Sequence, residues 1–488
     1  MKYIPVIGLE VHAELSTVTK MFCGCRVVDV TQSLPNSSVC PVCLGLPGAL
    51  PVVNRRAVEL GLRAALALKC TPLPYSIFAR KNYFYPDLPK GYQISQYETP
   101  LAENGRLKIK TSMGDKTIRI RRTHLEEDTG KLTHITRDGE SSTLVDLNRA
   151  GIPLLEIVTE PDMCSVEEAR VYAATLQQLL RYIQVSSCDM ENGAIRFEAN
   201  VSVMPEGSSQ LGTRTEIKNL NSFRSLERAI EFEIIRQTQL LEDGGRVIQE
   251  TVGWNETEGV TFSQRNKEEA HDYRYFPEPD LPPLVVADTW VEAIRKELPE
   301  LPAQKSSRFS SEYDLTEYDL SILISDTRIA DYFEALVHSG IPPKAAANWI
   351  NGQLFNEMNM AALDWDHVPI SSGDLSDLIH RVERGELNLQ TAKSVFSEMV
   401  KTGKTASQII ENKGLAQIHD LSIIHNAIQA VLVENPKEVE LYLAGKETLF
   451  QWFFGQVMGK TRGQASPGVV KGELEAQLIG LKNAKSSD

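Results

Sequence analysis

Long apolar runs are missing from this chain. Nowhere in its 488 residues do the roughly 18 consecutive apolar residues of a bilayer-spanning helix occur. Met1-Lys-Tyr-Ile-Pro5 also lacks the long apolar core of a secretory signal. A cytoplasmic protein with no membrane partner is expected. Excess positive charge is missing too: 51 Lys and Arg stand against 65 Asp and Glu, a net charge of −14. That argues against a nucleic-acid binder held by bulk electrostatics, while leaving room for local basic patches such as Lys116-Thr-Ile-Arg-Ile-Arg-Arg122. No P-loop or kinase signature is present, so any nucleotide chemistry must use another architecture.

Cysteine is scarce and unevenly spread. Cys23, Cys25, Cys40 and Cys43 form C-x-C-x14-C-x2-C, whereas Cys70, Cys164 and Cys188 are scattered. In a cytosolic chain four clustered thiols suit a tetrahedral zinc ion better than disulfides. The other three are expected as small core residues.

What the chain does have is acids inside strand-like segments. In Gly8-Leu-Glu-Val-His-Ala-Glu14, read as a strand, Glu10, His12 and Glu14 share one face and Leu9, Val11 and Ala13 the other. Two carboxylates and an imidazole on one strand can hold a divalent cation. Four later segments repeat the pattern around Glu126, Glu156, Glu198 and Glu216. A buried unpaired carboxylate is costly, so any one of these reads most simply as an exposed strand face. Five together read as one acidic floor. Within 124–128, parity puts Glu126 on that floor and Glu127 off it.

The pattern changes along the chain in ways that suggest three parts. Residues 1–292 mix strands with a few helices, expected near 54–68, 165–182 (from the capping-box start Ser165-Val-Glu-Glu168) and 222–241. Segments 105–122 and 131–147 alternate as an antiparallel meander would. Residues 293–405 read as amphipathic helices with caps at Asp326 and Ser372, and 406–488 as further helices interrupted by Pro436 and Gly463–Gly468. The last segment carries 8 Lys and Arg against 9 Asp and Glu, so the acidity lies in the first 405 residues. The fold class is α+β: an antiparallel-sheet domain followed by two all-α domains.

Two loops are dense in aromatics and bases: Arg80-Lys-Asn-Tyr-Phe-Tyr-Pro-Asp-Leu-Pro-Lys-Gly-Tyr92 and His271-Asp-Tyr-Arg-Tyr-Phe-Pro-Glu-Pro-Asp-Leu-Pro-Pro283. They read either as packed, proline-stiffened loops or as two pocket walls, with Lys81 or Arg274 meeting phosphate or carboxylate. Gly212–Asn221 places Arg214, Glu216 and Lys218 on one strand face. That is either a structural ion pair or a metal carboxylate between phosphate-binding cations.

Several of these stretches resemble the B subunits of tRNA-dependent amidotransferases. They are Val6–His12, Arg80–Asp87, His124–Lys131, Val145–Arg149, Glu191–Val203, Thr215–Phe223, Asp272–Asp280, Phe454–Met458 and Gly463–Pro467, spanning essentially the whole chain. The resemblance implies an N-terminal cradle similar to the glutamine synthetase catalytic fold. It implies ATP- and Mg²⁺-dependent phosphorylation of the side-chain carboxylate of Glu-tRNA(Gln) or Asp-tRNA(Asn). Ammonia from an amidase, the A subunit, then displaces phosphate; a small C subunit ties the complex together, and a tail domain touches tRNA. By motif match Glu10, His12, Glu126 and Glu156 are implied as Mg²⁺ ligands, with Glu198 and Glu216 completing a second site. Arg214, Lys218 and Arg274 face the nucleotide, and Lys81 is similar to the family's lysine near the ammonia exit. Glu198 stands where many relatives have Asp. The zinc cysteines are absent from some relatives, so zinc is expected to be structural, holding the loop after the first strand. A different class stays open at this point: a zinc-stabilised, non-catalytic tRNA-binding scaffold whose partner does the chemistry.

Overall fold

Alternation decides the first strand. In Tyr3–Glu14 (β1) the side chains of Leu9, Val11 and Ala13 are fully buried, while Glu10, His12 and Glu14 on the other face are half-buried. The computed structural model describes residues 2–137, 139–266, 273–365, 367–413, 415, 421–461 and 465–485. His271, Asp272, Gly463 and Gln464 of the motifs above lie outside them. The chain divides into two units, Met1–Lys305 and Ser306–Asp488.

The first unit is built on a nine-stranded sheet with β1 at its centre. Four further strands carry the polar face: Gly114–Glu127 (β2), Pro153–Thr159 (β3), Ile195–Pro205 (β4) and Thr215–Leu220 (β5). Their spatial order is β5-β4-β1-β3-β2, all antiparallel. Glu250–Asn255 joins β5 in parallel, followed by Val260–Asn266; beyond β2 lie Ala102–Thr111 and Thr71–Pro72. One face of the sheet is apolar, with Leu125, Leu155, Ile157, Phe197, Ala199 and Ile217 all buried. Helices Arg55–Ala67 (α1), Val166–Tyr182 (α2) and Phe223–Glu242 (α3) join the same core. Burying such stripes is what holds a helix on a sheet.

The helix starts follow local chemistry. Asn54 accepts from the Arg56 and Ala57 N–H groups, Ser165 from Glu168, and Ser222 from Ser225, satisfying donors that a helix leaves orphaned. The expected capping box is only half made. The Glu168 carboxylate accepts from Cys164 N (2.6 Å) and Lys116 Nζ (2.7 Å) instead of from Ser165. Gly61 is required by close packing: a Cβ there would stand 2.8 Å from Leu101 Cδ2 and 3.0 Å from Leu125 Cδ2. Of the three scattered cysteines, Cys70 and Cys188 are buried as expected, but Cys164 is exposed. It sits in the turn before α2, where its backbone N–H donates to Glu168 and its thiol to Asp162 O at 3.6 Å.

Only the first half of the expected meander belongs to the main sheet. Lys131–Arg137 and Glu140–Asp146 form a separate two-stranded hairpin, exposed along most of its length, with Leu144 outside the core. The two aromatic loops pair with each other. Phe276–Pro277, Phe78–Asn82 and Tyr92–Gln96 make a three-stranded sheet, clamped by Arg80, whose guanidinium donates to fully buried Glu278 at 2.6 and 2.7 Å.

The second unit is helical throughout its described residues, with two cores. One runs from Phe309 to Ile410, the other from Ile424 to Leu478. Asp326 caps Thr327–His338 as its sequence suggests. The other expected cap shifts by one residue, because Ser371, not Ser372, accepts from Asp374 N. Helix Ala406–Lys413 contributes Ala406, Ile409 and Ile410 to the earlier of the two cores. No helix among the described residues is long and apolar enough to cross a membrane.

Candidate active site

The polar face of the sheet brings the acids together by register. His12 stands directly opposite Glu156 on β3, and Glu156 opposite His124 on β2. On the other side Glu10 stands opposite Glu198 on β4, and Asn200 opposite Glu216 on β5. Directly opposed antiparallel residues have Cβ atoms about 4.5–5.5 Å apart. Two triads result. Ligand atoms of His12, Glu126 and Glu156 all lie within 4.8 Å of one another, as do those of Glu10, Glu198 and Glu216. Glu10 and His12 are two residues apart on β1, which puts the triads about 7 Å apart along the strand. Glu127 leaves this face: its carboxylate pairs with Lys90 at 2.6 Å and accepts from Ile94 N at 2.9 Å.

The charges are unevenly compensated. In the first triad His12 Nε2 lies 3.4 Å from Glu126 and 3.6 Å from Glu156, and His124 Nε2 lies 2.8 Å from Glu156. Burial opposes the charge on Glu156, but the two imidazoles hold its carboxyl well below the usual range. Burial likewise opposes the charge on His12, yet Glu156, then Glu126 and Glu198, raise it to about 9. In the second triad Lys218 Nζ sits 2.8 Å from Glu198 and 3.6 Å from Glu216. Against burial, this ammonium holds Glu198 below the usual range. Among the described residues no cation pairs directly with Glu10, although Arg121 lines the same cavity. Burial, then Glu156, Glu198 and Glu216, push its carboxyl up, partly offset by the Asn200 amide, donating at 2.8 Å. Oxygen donors with one imidazole suit a hard divalent ion such as Mg²⁺.

Around this floor the other expected residues are placed differently. Lys81 lines a small cavity with His12, Glu126 and Glu198; its ammonium lies 5.0 Å from the Tyr273 ring and 6.0 Å from that of Tyr83. Burial works against that charge, but Tyr275, Glu126 and Glu156 hold it well above the ordinary lysine value. Arg214 lines a second cavity of about 410 Å³, with Glu10, Arg121, Asn200 and Ser202. Arg274 stands apart. It is exposed, and its backbone oxygen accepts from Asn82 Nδ2 at 2.8 Å.

The cysteines converge as well: four Sγ atoms lie within 4.8 Å of one another. Cys43 is buried among them, 4.0 Å from Cys25 Sγ and 3.8 Å from Cys40 Sγ, and accepts from Cys40 N at 3.0 Å. Its thiol is pushed down by Cys23, and further, against burial, by the Cys40 N–H and the charge of Lys20. A set of four sulfurs this close fits zinc.

A family model described as the GatB/GatE catalytic domain matches residues 5–292, and a second, described as a GatB domain, matches residues 331–478. The B subunit of the aspartyl/glutamyl-tRNA(Asn/Gln) amidotransferase of Thermoanaerobacter sp. (strain X514) is 51% identical over 478 residues, covering 98% of this chain and 100% of the relative. The chain belongs to this family of amidotransferase B subunits. The B subunits of Thermodesulfovibrio yellowstonii (52% over 470 residues, 96% and 98% covered) and Geobacter sulfurreducens (49% over 481 residues, 98% and 100% covered) are similarly related. In this amidotransferase protein nearly all of the sheet unit falls within the first match and most of the helical unit within the second. The first match being described as a catalytic domain stands against the scaffold reading.

Sequence reasoning missed four members of the amidotransferase floor: His124, Asp128, Arg196 and Asn200. Arg196 donates to both oxygens of Asp128 (2.9 and 3.1 Å), and Arg149 lies 3.5 Å from the same carboxylate. Each missed residue lies two positions from an acid already singled out. The same period-two rule that found Glu126 and Glu198 could have found them.

Proposed function

We propose that this chain is the activating subunit of a tRNA-dependent amidotransferase. It uses ATP and Mg²⁺ to phosphorylate the side-chain carboxylate of Glu-tRNA(Gln) or Asp-tRNA(Asn). A free carboxylate does not react with ammonia. Its oxygen attacks the γ-phosphorus and ADP leaves; ammonia supplied by the amidase, the A subunit, then attacks the acyl carbon and phosphate leaves, giving the amide. The observation carrying this reading is the pair of acid triads on one face of five antiparallel strands.

His12, Glu126 and Glu156 would hold one Mg²⁺, and Glu10, Glu198 and Glu216 another. The ions would neutralise phosphate charge and align attacking and leaving oxygens. The chain's own side chains do the rest. His124 and Asn200 orient Glu156 and Glu10. Arg214 and Lys218, with Arg274 from its exposed loop, meet the anionic nucleotide. Lys81, beneath its tyrosines, faces the acyl group where ammonia arrives. Residues 1–292 carry this chemistry; of the helices that follow, those packed around the core that ends at Ile410 form a helical domain, and those of the core from Ile424 to Leu478 form the tail that meets tRNA. Four cysteines hold structural zinc, and the heterotrimer is completed by a small C subunit.

The test is Mg²⁺-dependent ATP hydrolysis by the assembled complex with mischarged tRNA. Glu10→Ala and Glu126→Ala should each lose at least ~100-fold in rate while still binding tRNA. Wild-type rates in both variants would sink the proposal.

A further inference from the structure

Lys20 is a buried lysine without an acid. Its side chain has no exposed surface, and its ammonium donates to two backbone carbonyls, Ser38 O at 2.8 Å and Leu147 O at 3.1 Å. No carboxylate pairs with it among the described residues. An ammonium removed from water is strongly disfavoured unless a negative charge faces it. Carbonyl dipoles satisfy its donors but carry no net charge.

What lies beside it is the cysteine cluster. Lys20 precedes Cys23 by three positions, and its backbone N–H donates to Cys25 O at 2.9 Å. The position a Cβ would take on Gly151 is 3.5 Å from Lys20 Cδ and 3.9 Å from Cys43 Cβ, so the lysine stem and Cys43 converge on one point. Four thiolates around one divalent ion sum to two negative charges. This is the counter-charge that the Lys20 environment otherwise lacks.

We propose that Lys20 is the buried counter-cation of the four-cysteine metal cluster and that it links metal loading to the edge of the acid floor. The inference rests on the zinc reading of the cysteines. The link is the ammonium's second carbonyl. Ser38 belongs to the cysteine loop, whereas Leu147 lies two residues before Arg149. Arg149 donates to Thr129 O (3.1 Å) and Gly130 O (2.8 Å), beside Asp128. Met21 N donates to Gly151 O at 2.7 Å, and Gly151 N to Asp128 O at 2.9 Å, so the cysteine loop and the Asp128–Arg196 pair hang on one short segment.

The test uses the full chain as wild type and Lys20→Met, which keeps the stem and removes the charge. Zinc affinity is read by chelator competition, and the cobalt(II)-loaded forms by their thiolate absorption bands. The expected result is a ~10–100-fold weaker affinity in Lys20→Met, with shifted cobalt bands. Independently of any variant, an amine-reactive label read by mass spectrometry should leave Lys20 untouched in the zinc-loaded wild type and modify it after chelation. Equal metal affinity in both chains, or equal labelling of Lys20 with and without zinc, overturns the proposal. A less stable Lys20→Met chain that binds zinc as tightly as wild type overturns it too, leaving Lys20 a packing residue. If Lys20→Met does not fold, the labelling result decides. A wild-type chain that binds neither ion removes the zinc reading and this proposal together.

Discussion

Glu10 and Glu198 face each other across the β1–β4 pair, one carboxylate directly opposite another. Like charges so placed destabilise a sheet, and Lys218 compensates only the Glu198 side. The Glu10 carboxyl is held above its ordinary 4.5, so its charged form lowers stability at every pH above that value. Glu10→Gln should therefore stabilise the metal-free chain by up to about 1 kcal/mol. It should also lose the Mg²⁺-dependent rise in melting temperature expected of wild type. Thermal unfolding with and without Mg²⁺ checks both halves; a destabilised Glu10→Gln chain would mean that this opposition is already relieved in the folded state.

Glu126 and Glu127 are adjacent in sequence and opposite in role. Glu126 is shared with His12 at 3.4 Å and accepts from Ser95 Oγ at 3.3 Å; Glu127 pairs with half-buried Lys90 on the other face. Glu126→Gln should cut ATP turnover by at least ~100-fold with little change in stability. Glu127→Gln should do the reverse, costing about 3 kcal/mol by leaving Lys90 poorly paired, with turnover per folded molecule retained. Rates normalised to folded protein, beside urea unfolding curves, separate the two. Equal effects on turnover would contradict the division of faces.

Much of this site was legible because strand parity is a local property. Reading every second residue from Glu10 requires no knowledge of neighbours, and the acids of five segments indeed share one face. Register is not local. That His12 meets Glu156 across one strand pair and Arg196 across the other depends on pairings between segments more than 140 residues apart, and no alternation pattern encodes them. The same holds for Lys20, which in sequence is a lysine like any other and only the fold deprives of water. Side-chain competition explains the smaller misses. Glu168 had the right spacing for a capping box, but Lys116 from the neighbouring strand and the Cys164 N–H claim its carboxylate.

His12 gives the pH dependence its sign. Its pKa rises from 6.5 to about 9 in the folded chain because Glu156, Glu126 and Glu198 outweigh burial. Protonated His12 thus contributes stability that is fully present below pH 6.5 and lost as pH climbs through 9. The metal-free chain should weaken over that window, and His12→Gln should flatten the curve. Because an imidazole must give up its proton to bind an ion, Mg²⁺ affinity should increase over the same window. Calorimetry in two buffers of different ionisation enthalpy should detect up to about one proton released per ion at pH 7.5. No release, or a profile of the opposite slope, would contradict the charged imidazole.

Arg80 and Glu278 join the two aromatic loops that flank Lys81. Glu278 is fully buried and Arg80 half-buried, with the guanidinium 4.2 Å from the Tyr92 ring centroid and 5.7 Å from that of Phe276. Removing one partner of such a pair strands the other charge, at a cost of about 3–5 kcal/mol. Arg80→Met should show that loss, because it strands the fully buried Glu278 carboxylate, and Glu278→Ala should cost less, because Arg80 is partly exposed and keeps Asp280 at 3.2 Å. The two loops also carry Lys81, Tyr83, Tyr273 and Tyr275. Loosening the clamp should therefore lower amide formation more than ATP hydrolysis, since the acid floor stands on a separate sheet. Measuring both products in the assembled complex tests this: a parallel fall in the two rates would place the loops in the phosphorylation step as well.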